Sequence, residues 1–194
     1  MDTGDYQVNY LYPHKGENLF HMLETNYQIA DLMDSVFART GFRFVVDYDE
    51  RRLKIARFGP GNTVVLLPFY MVAEPIQRLL FNYAVIISNR EAVIVMEEPE
   101  VHLFPFYIDA LAFEILNSRS NQFFISTHNP YFINALVREA ENLEDIAIFI
   151  TYFENYETRV RKLSSEELRR VYEEGIDILL NLDRYIYGKG KLQE

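Results

Sequence analysis

Two short apolar runs constrain this chain most. Each ends abruptly in polar residues, and one helix length of chain lies between them. The first is "AVIVM" (92–96), which runs into Glu97-Glu98-Pro99-Glu100. The second is "QFFIS" (122–126), which runs into Thr127-His128-Asn129-Pro130. The mostly apolar stretch from Pro105 to Asn117 reads as a helix joining them. Pro130 then opens another helix to about Val137, and "DIAIFITYF" (145–153) supplies a third apolar run. Doubly apolar strands alternating with helices are the pattern of a parallel sheet with helices on its faces. The expected fold class is therefore α/β, a mainly parallel sheet with flanking helices.

The rest of the chain adds to that frame. Leu19, Met22, Leu23, Ile29, Ala30, Met33, Val36 and Phe37 recur at helical spacing, with Gly41 placed as a stop. "FRFVVDYDERRLKIARF" alternates and breaks at Asp49-Glu50, which reads as a β-hairpin. "GPGN" (59–62) reads as a turn, and "TVVLLPF" as a short strand ended or edged by Pro68. Pro75 suits the first turn of a helix running to about Ile87. "ETRVRKL" (157–163) looks like a strand returning on the third apolar run. Ser164 stands three residues before Glu167, a capping box that starts a helix to about Glu174. A last helix is expected from Ile176 to Tyr187, with a polar irregular start (1–18) and a frayed tail (188–194). The expected division is 1–60 for the first helix and hairpin, 61–163 for the α/β lobe, and 164–194 for the C-terminal helices.

Composition narrows the function classes. A net charge of −10 argues against a nucleic-acid surface, although a local basic patch is compatible with it. The chain has no Cys, so it has neither disulfides nor a thiolate metal site. It has no apolar run long enough to span a membrane and no signal-peptide pattern at its start, so a cytoplasmic protein is the expectation.

Ligand sites in open α/β sheets lie beyond the C-terminal ends of parallel strands. Both polar ends, 97–100 and 126–130, are expected there, near each other. Adjacent like charges at Glu97 and Glu98 repel, and a divalent cation would relieve that repulsion. One acid can hold the water shell of Mg²⁺, which prefers oxygen ligands and keeps several waters. The other can orient an attacking water, and His128 can donate a hydrogen bond to charge developing on a phosphoryl group. A plain reading stands beside this one. In it the glutamates are a solvated strand end, His128 a helix-capping residue and His102 a packing residue.

"VIVMEEPEVHLFP" resembles the Walker B strand and following D-loop of the ATP-binding-cassette-type heads of SMC and RecF-like ATPases. "FFISTHNPYFINAL" resembles their switch-histidine segment. "EPIQRLLFNYAVII" sits where the signature helix of those heads would be, and "GENLFHMLE" resembles the segment before their helical insertion. The resemblance covers most of residues 16–137. It implies the C-terminal lobe of an AAA-type P-loop NTPase fold, with a helical segment and a β-hairpin added. It implies ATP hydrolysis with ATP and Mg²⁺ as cofactors. By position, Glu98 is implied as the catalytic glutamate and His128 as the γ-phosphate-sensing histidine. Glu97 is implied as the acidic residue supporting Mg²⁺ through water. Glu100 and His102 fall in the D-loop and are implied, with Glu97, on the nucleotide-binding side.

Two features depart from that family. The sequence contains no G-x-x-x-x-G-K-[ST], which would supply the phosphate-gripping nest, lysine and hydroxyl. The signature Ser-Gly is replaced by Val72-Ala73-Glu74-Pro75. Three readings follow. The chain is a lobe whose P-loop-bearing N-terminal partner lies in the same gene or another chain, with a homodimer possible. Alternatively it is a non-catalytic interaction module, or else a stand-alone metal-dependent hydrolase using Glu97, Glu98, Glu100, His102 and His128.

Overall fold

A computed structural model describes residues 10–12, 16–38, 40–175 and 177–188. The expected irregular start and frayed tail lie mostly outside these residues, as does His14. The first elements among the described residues are two helices, α1 (Leu19–Thr25) and α2 (Tyr27–Phe37), where the apolar spacing suggests one. Asn26 makes the break. Its side-chain amide donates to the Met22 carbonyl at 3.1 Å, and its own N–H donates to the same carbonyl at 2.9 Å. The Thr25 hydroxyl also donates to the His21 carbonyl at 3.1 Å. Side-chain donors thus compete for the carbonyls that a continuous helix would need. Both helices still bury their apolar faces: Met22, Leu23, Ile29, Met33 and Phe37 are in the core.

The hairpin forms as expected from β1 (Arg43–Asp47) and β2 (Arg52–Phe58), and β3 (Val64–Pro68) adds to it, all antiparallel. Asp47 shapes the turn. One of its carboxylate oxygens accepts from the Asp49 and Glu50 amides at 3.1 and 3.0 Å, and the other accepts from Lys54 at 2.7 Å. Asp34 ties this sheet to α2 by accepting from Arg43 Nε at 2.8 Å and from the Phe44 amide at 3.1 Å. The Arg43 guanidinium holds the Asp34 carboxyl below its ordinary range.

Helix α3 (Glu74–Ser88) carries Pro75 in its first turn and buries Leu79, Leu80, Tyr83, Ala84 and Ile86. Strand β4 (Val93–Glu97), helix α4 (Pro105–Asn117) and strand β5 (Gln122–Ser126) form the parallel unit that the sequence indicates. The register runs from Val93 opposite Gln122 to Glu97 opposite Ser126, so both strands end level. Helix α5 (Pro130–Glu139) follows at once. Helices α1 to α5 share one apolar core, which reaches from Leu11 to Ala135.

The parallel sheet is narrower than expected, with two strands. The third apolar run forms β6 (Phe149–Glu154), but β6 pairs antiparallel with β7 (Glu157–Lys162) rather than with β5. Asn155 and Tyr156, both at positive φ (51° and 63°), close that hairpin in two residues. Such a local turn matches the strand twist and commits β6 to its sequence neighbour. The expected return of residues 157–163 on the third run is therefore seen.

Helix α6 (Ser165–Glu174) begins at the expected capping box. The Ser164 hydroxyl accepts from the Glu167 amide at 3.2 Å, and the Glu167 carboxylate accepts from the Ser164 amide at 2.9 Å. Helix α7 (Leu182–Tyr187) is shorter than expected. The Asp177 carboxylate takes the Leu179 and Leu180 amides at 2.8 and 3.0 Å, forming a turn where the helix would otherwise start. A second apolar cluster joins Val137, Ile150, Leu163, Leu168, Val171, Ile178 and Tyr185.

Candidate functional site

The sheet places two chemically loaded loops side by side. As Glu97 and Ser126 lie opposite each other, the residues that follow them leave the sheet together. The first link is backbone: the Glu98 amide donates to the Ser126 carbonyl at 2.8 Å. The second is side chain: His128 Nδ1 contacts Glu98 Oε1 directly. The imidazole is 76% exposed and the carboxylate 36%, so both are open to a ligand while touching each other.

The backbone that carries Glu98 is unusual. Glu98 has φ 44° and His102 has φ 68°, both in the left-handed region that non-glycine residues seldom occupy. Such conformations persist only where surrounding structure holds them, and they concentrate at functional sites. Here the holding groups are visible. Asn82, buried on α3, donates to the Pro99 carbonyl at 2.8 Å. Glu100 is only 2% exposed and accepts from the Thr127 hydroxyl. The Thr127 hydroxyl in turn accepts from the Asn129 amide at 3.0 Å. Asn129 then caps α5, its side-chain oxygen accepting from the Tyr131 and Phe132 amides at 2.9 and 3.4 Å. Pro130 at the first helical turn needs no such acceptor.

The five singled-out residues fall into three groups. Glu98 and His128 are in contact. Glu97 is exposed at the end of β4 and makes no ion pair or hydrogen bond with the described residues. Glu100 turns inward onto Thr127, and exposed His102 lies 3.5 Å from Glu74 at the start of α3. Thr127, Asn82 and Glu74 are the partners that motif reading passed over. Asn82 had a signal, being a lone amide on the apolar face of "RLLFNYAVII". Thr127 had none beyond its place beside His128. Farther along the helices, Asp109 on α4 joins α5 by accepting from Arg138 at 2.6 Å and from the Tyr131 phenol at 3.0 Å. That hydrogen bond pushes the phenol pKa up.

Glu97 fits Mg²⁺ in one respect. It is a free carboxylate at a strand end, suited to holding a water of the ion's shell. No group of three or more His, Asp or Glu residues suited to a metal ion occurs among the described residues. The fit is thus to one outer-sphere contribution rather than to a whole coordination set.

The sheet has one covered and one open face. Ile94, Met96, Phe123 and Ile125 point inward, while Val93, Val95 and Phe124 point outward at 64, 78 and 55% exposure. Parallel strands are normally covered on both faces. The apolar outward face therefore explains why both strands read as fully buried in the sequence.

Residues 65–134 match the family described as "AAA domain, putative AbiEii toxin, Type IV TA system". That span includes α3, β4, β5 and the start of α5. No curated protein matches the sequence closely enough to count as a relative. Among solved structures, an SMC head bound to the C-winged helix domain of ScpA is 15% identical with a TM-score of 0.50. The match covers 77% of this chain and 46% of that one. A structure described for ATP-driven dimerization and DNA-stimulated activation of SMC ATPases is 18% identical, with a TM-score of 0.49 over 80% of this chain and 96% of that one. An Smc head with an extended coiled coil from Pyrococcus furiosus, bound to the C-terminal domain of ScpA, is 17% identical. Its TM-score is 0.47, over 80% of this chain and 39% of that one. The ScpA-bound SMC head of TM-score 0.50 carries the conclusion on fold. This chain shares the α/β fold of that SMC head and spans less than half of that head's length. Among the described residues no helix is long and apolar enough to cross a membrane.

Proposed function

We propose that this chain is the C-terminal lobe of an ATPase of the SMC/RecF-like class and hydrolyses ATP when a P-loop-bearing lobe completes the site. The observation that carries this reading is the contact between Glu98 and His128 at the level ends of two adjacent parallel strands. A carboxylate and an imidazole touching each other in the open, on backbone held by buried groups, suit a reaction in which one polarises water and the other meets phosphate charge. In this role Glu98 accepts hydrogen bonds from the attacking water and orients it. His128 donates from its ring to a γ-phosphate oxygen. Glu97 accepts from a water of the Mg²⁺ shell. Mg²⁺, held through a water on Glu97, would supply charge neutralisation to the phosphates.

A second observation supports the need for another lobe. Val93, Val95 and Phe124 form an apolar sheet face turned to solvent, and such faces seek cover. A lobe docked there would lie beside the strand ends that carry Glu97, Glu98 and Ser126. Partner binding like that of the ScpA-bound SMC head, and dimerisation of two such chains, belong to the same reading. The altered signature at Val72-Ala73-Glu74-Pro75 bears on the second of these, because Glu74 already faces His102.

Calorimetric titration tests the half-site. The chain alone should bind ATP·Mg²⁺ more weakly than about 1 mM, since its sequence carries no G-x-x-x-x-G-K-[ST] to form a phosphate nest. Joined to a P-loop-bearing lobe, it should bind in the micromolar range common for enzyme substrates, roughly 1 μM to 1 mM. Micromolar binding with turnover by the chain alone would refute the reading.

A further inference from the structure

Among the described residues the buried polar or charged side chains are Asn82, Ser88 and Glu100. Two of these three hold the loop between β4 and α4. Asn82 fixes its Pro99 carbonyl and needs no further account, because its amide meets a buried acceptor. Glu100 is different. One carboxylate oxygen accepts from Thr127, while the other, Oε2, is buried without any hydrogen-bond partner. An unpaired buried polar atom costs about 1–3 kcal/mol. A leucine would fill the same space without that cost. A carboxylate kept there is explained if its paired oxygen does something that an apolar side chain cannot.

We propose that Glu100 is a positioning residue that sets the direction of His128 through Thr127; this rests on the reading that Glu98 and His128 act together on ATP. The Thr127 hydroxyl has one proton. Donated to Glu100, it leaves the oxygen's lone pairs turned toward the Asn129 amide, which they accept at 3.0 Å. Residues 127 and 129 are thereby fixed on either side of His128, and Asn129 is fixed again by capping α5. The His128 side chain is largely exposed, and among the described residues its ion-pair partner is Glu98. Its aim therefore comes from its backbone, and its backbone is anchored on Glu100. The same loop carries Glu98, whose amide is bound to Ser126. Glu100 thus locks the acidic loop to the imidazole loop from beneath, out of reach of solvent.

The test uses Thr127→Val, which keeps the shape and removes the hydroxyl, and Thr127→Ser, which keeps the hydroxyl. Glu100→Leu is the companion change on the other side. In the intact chain, amide hydrogen exchange at Asn129 should quicken about tenfold in Thr127→Val, which removes its hydroxyl acceptor, and in Glu100→Leu, which removes the carboxylate that orients that hydroxyl. Thr127→Ser should stay within about threefold of the original. In the chain joined to a P-loop lobe, Thr127→Val should lower kcat about tenfold with KM for ATP unchanged, and Thr127→Ser should restore it. Unchanged exchange at Asn129 in Glu100→Leu would overturn the proposal. So would a raised KM with kcat intact. If Glu100→Leu fails to fold, Glu100→Met, closer in length and shape to the original side chain, takes its place in the same comparison. The exchange arm needs no nucleotide. A joined wild-type protein without turnover therefore counts against the ATPase reading, while exchange still decides whether Glu100 anchors this loop.

Discussion

Replacing Glu98 with Gln should abolish ATP turnover in the joined protein while sparing nucleotide binding. Glutamine keeps the length and shape of the side chain and can still accept from the His128 ring, so the pair survives sterically. It cannot take a proton from water or polarise it as a carboxylate does. A positioned general base contributes about 10²- to 10⁴-fold, and a loss of that size is expected in kcat. Affinity for ATP should change little, because in the proposed role Glu98 faces the attacking water rather than the bound phosphates. Steady-state hydrolysis paired with calorimetric binding measures both. Turnover equal to wild type would remove Glu98 from the chemistry, and loss of binding together with turnover would make it a structural residue.

The second large effect concerns the uncovered sheet. Val95 is 78% exposed at the centre of β4, so Val95→Asp should leave the isolated chain folded with nearly its original stability. Against a docked lobe the same carboxylate would be buried without a partner, which costs about 3–5 kcal/mol. Association with a separately produced P-loop lobe should therefore weaken about 100-fold or more. Leu180, 85% exposed and remote in sequence from this face, supplies the control: Leu180→Asp should leave association unchanged. Sedimentation or calorimetry of the mixed lobes gives the comparison. If Val95→Asp associates as tightly as wild type, the lobe does not dock on this face.

The strand ends that carry the candidate site are legible because their signals are local. A strand that ends in charge, followed by a Pro-initiated helix, announces where the chain leaves a sheet. Both Glu97-Glu98 and Thr127-His128-Asn129 are found at such ends. The capping box at Ser164 and the hairpin turn at Asp49-Glu50 were readable for the same reason. What the sequence hid depends on competition between distant or equally local alternatives. Asn26 breaks a helix that apolar spacing alone would continue, because its amide reaches back to Met22. The Asn155-Tyr156 turn ties β6 to β7, although its apolar run would suit a central parallel strand equally well. Val93, Val95 and Phe124 read as buried and stand in solvent, because strand composition records what the fold expects to cover, and nothing among the described residues covers them. The resemblance implies Glu100, with Glu97 and His102, on the nucleotide-binding side. The burial of Glu100 against Thr127 arises from a left-handed turn at Glu98 that no residue type advertises.

The most direct measurement is the structure of the joined protein carrying Glu98→Gln with ATP and Mg²⁺ bound. A His128 ring nitrogen within about 3 Å of a γ-phosphate oxygen, and the side chain at position 98 within one water of the same phosphorus, is the predicted arrangement. Nucleotide held elsewhere, or an imidazole turned away from the phosphate with the position-98 side chain beyond reach of a shared water, would contradict it.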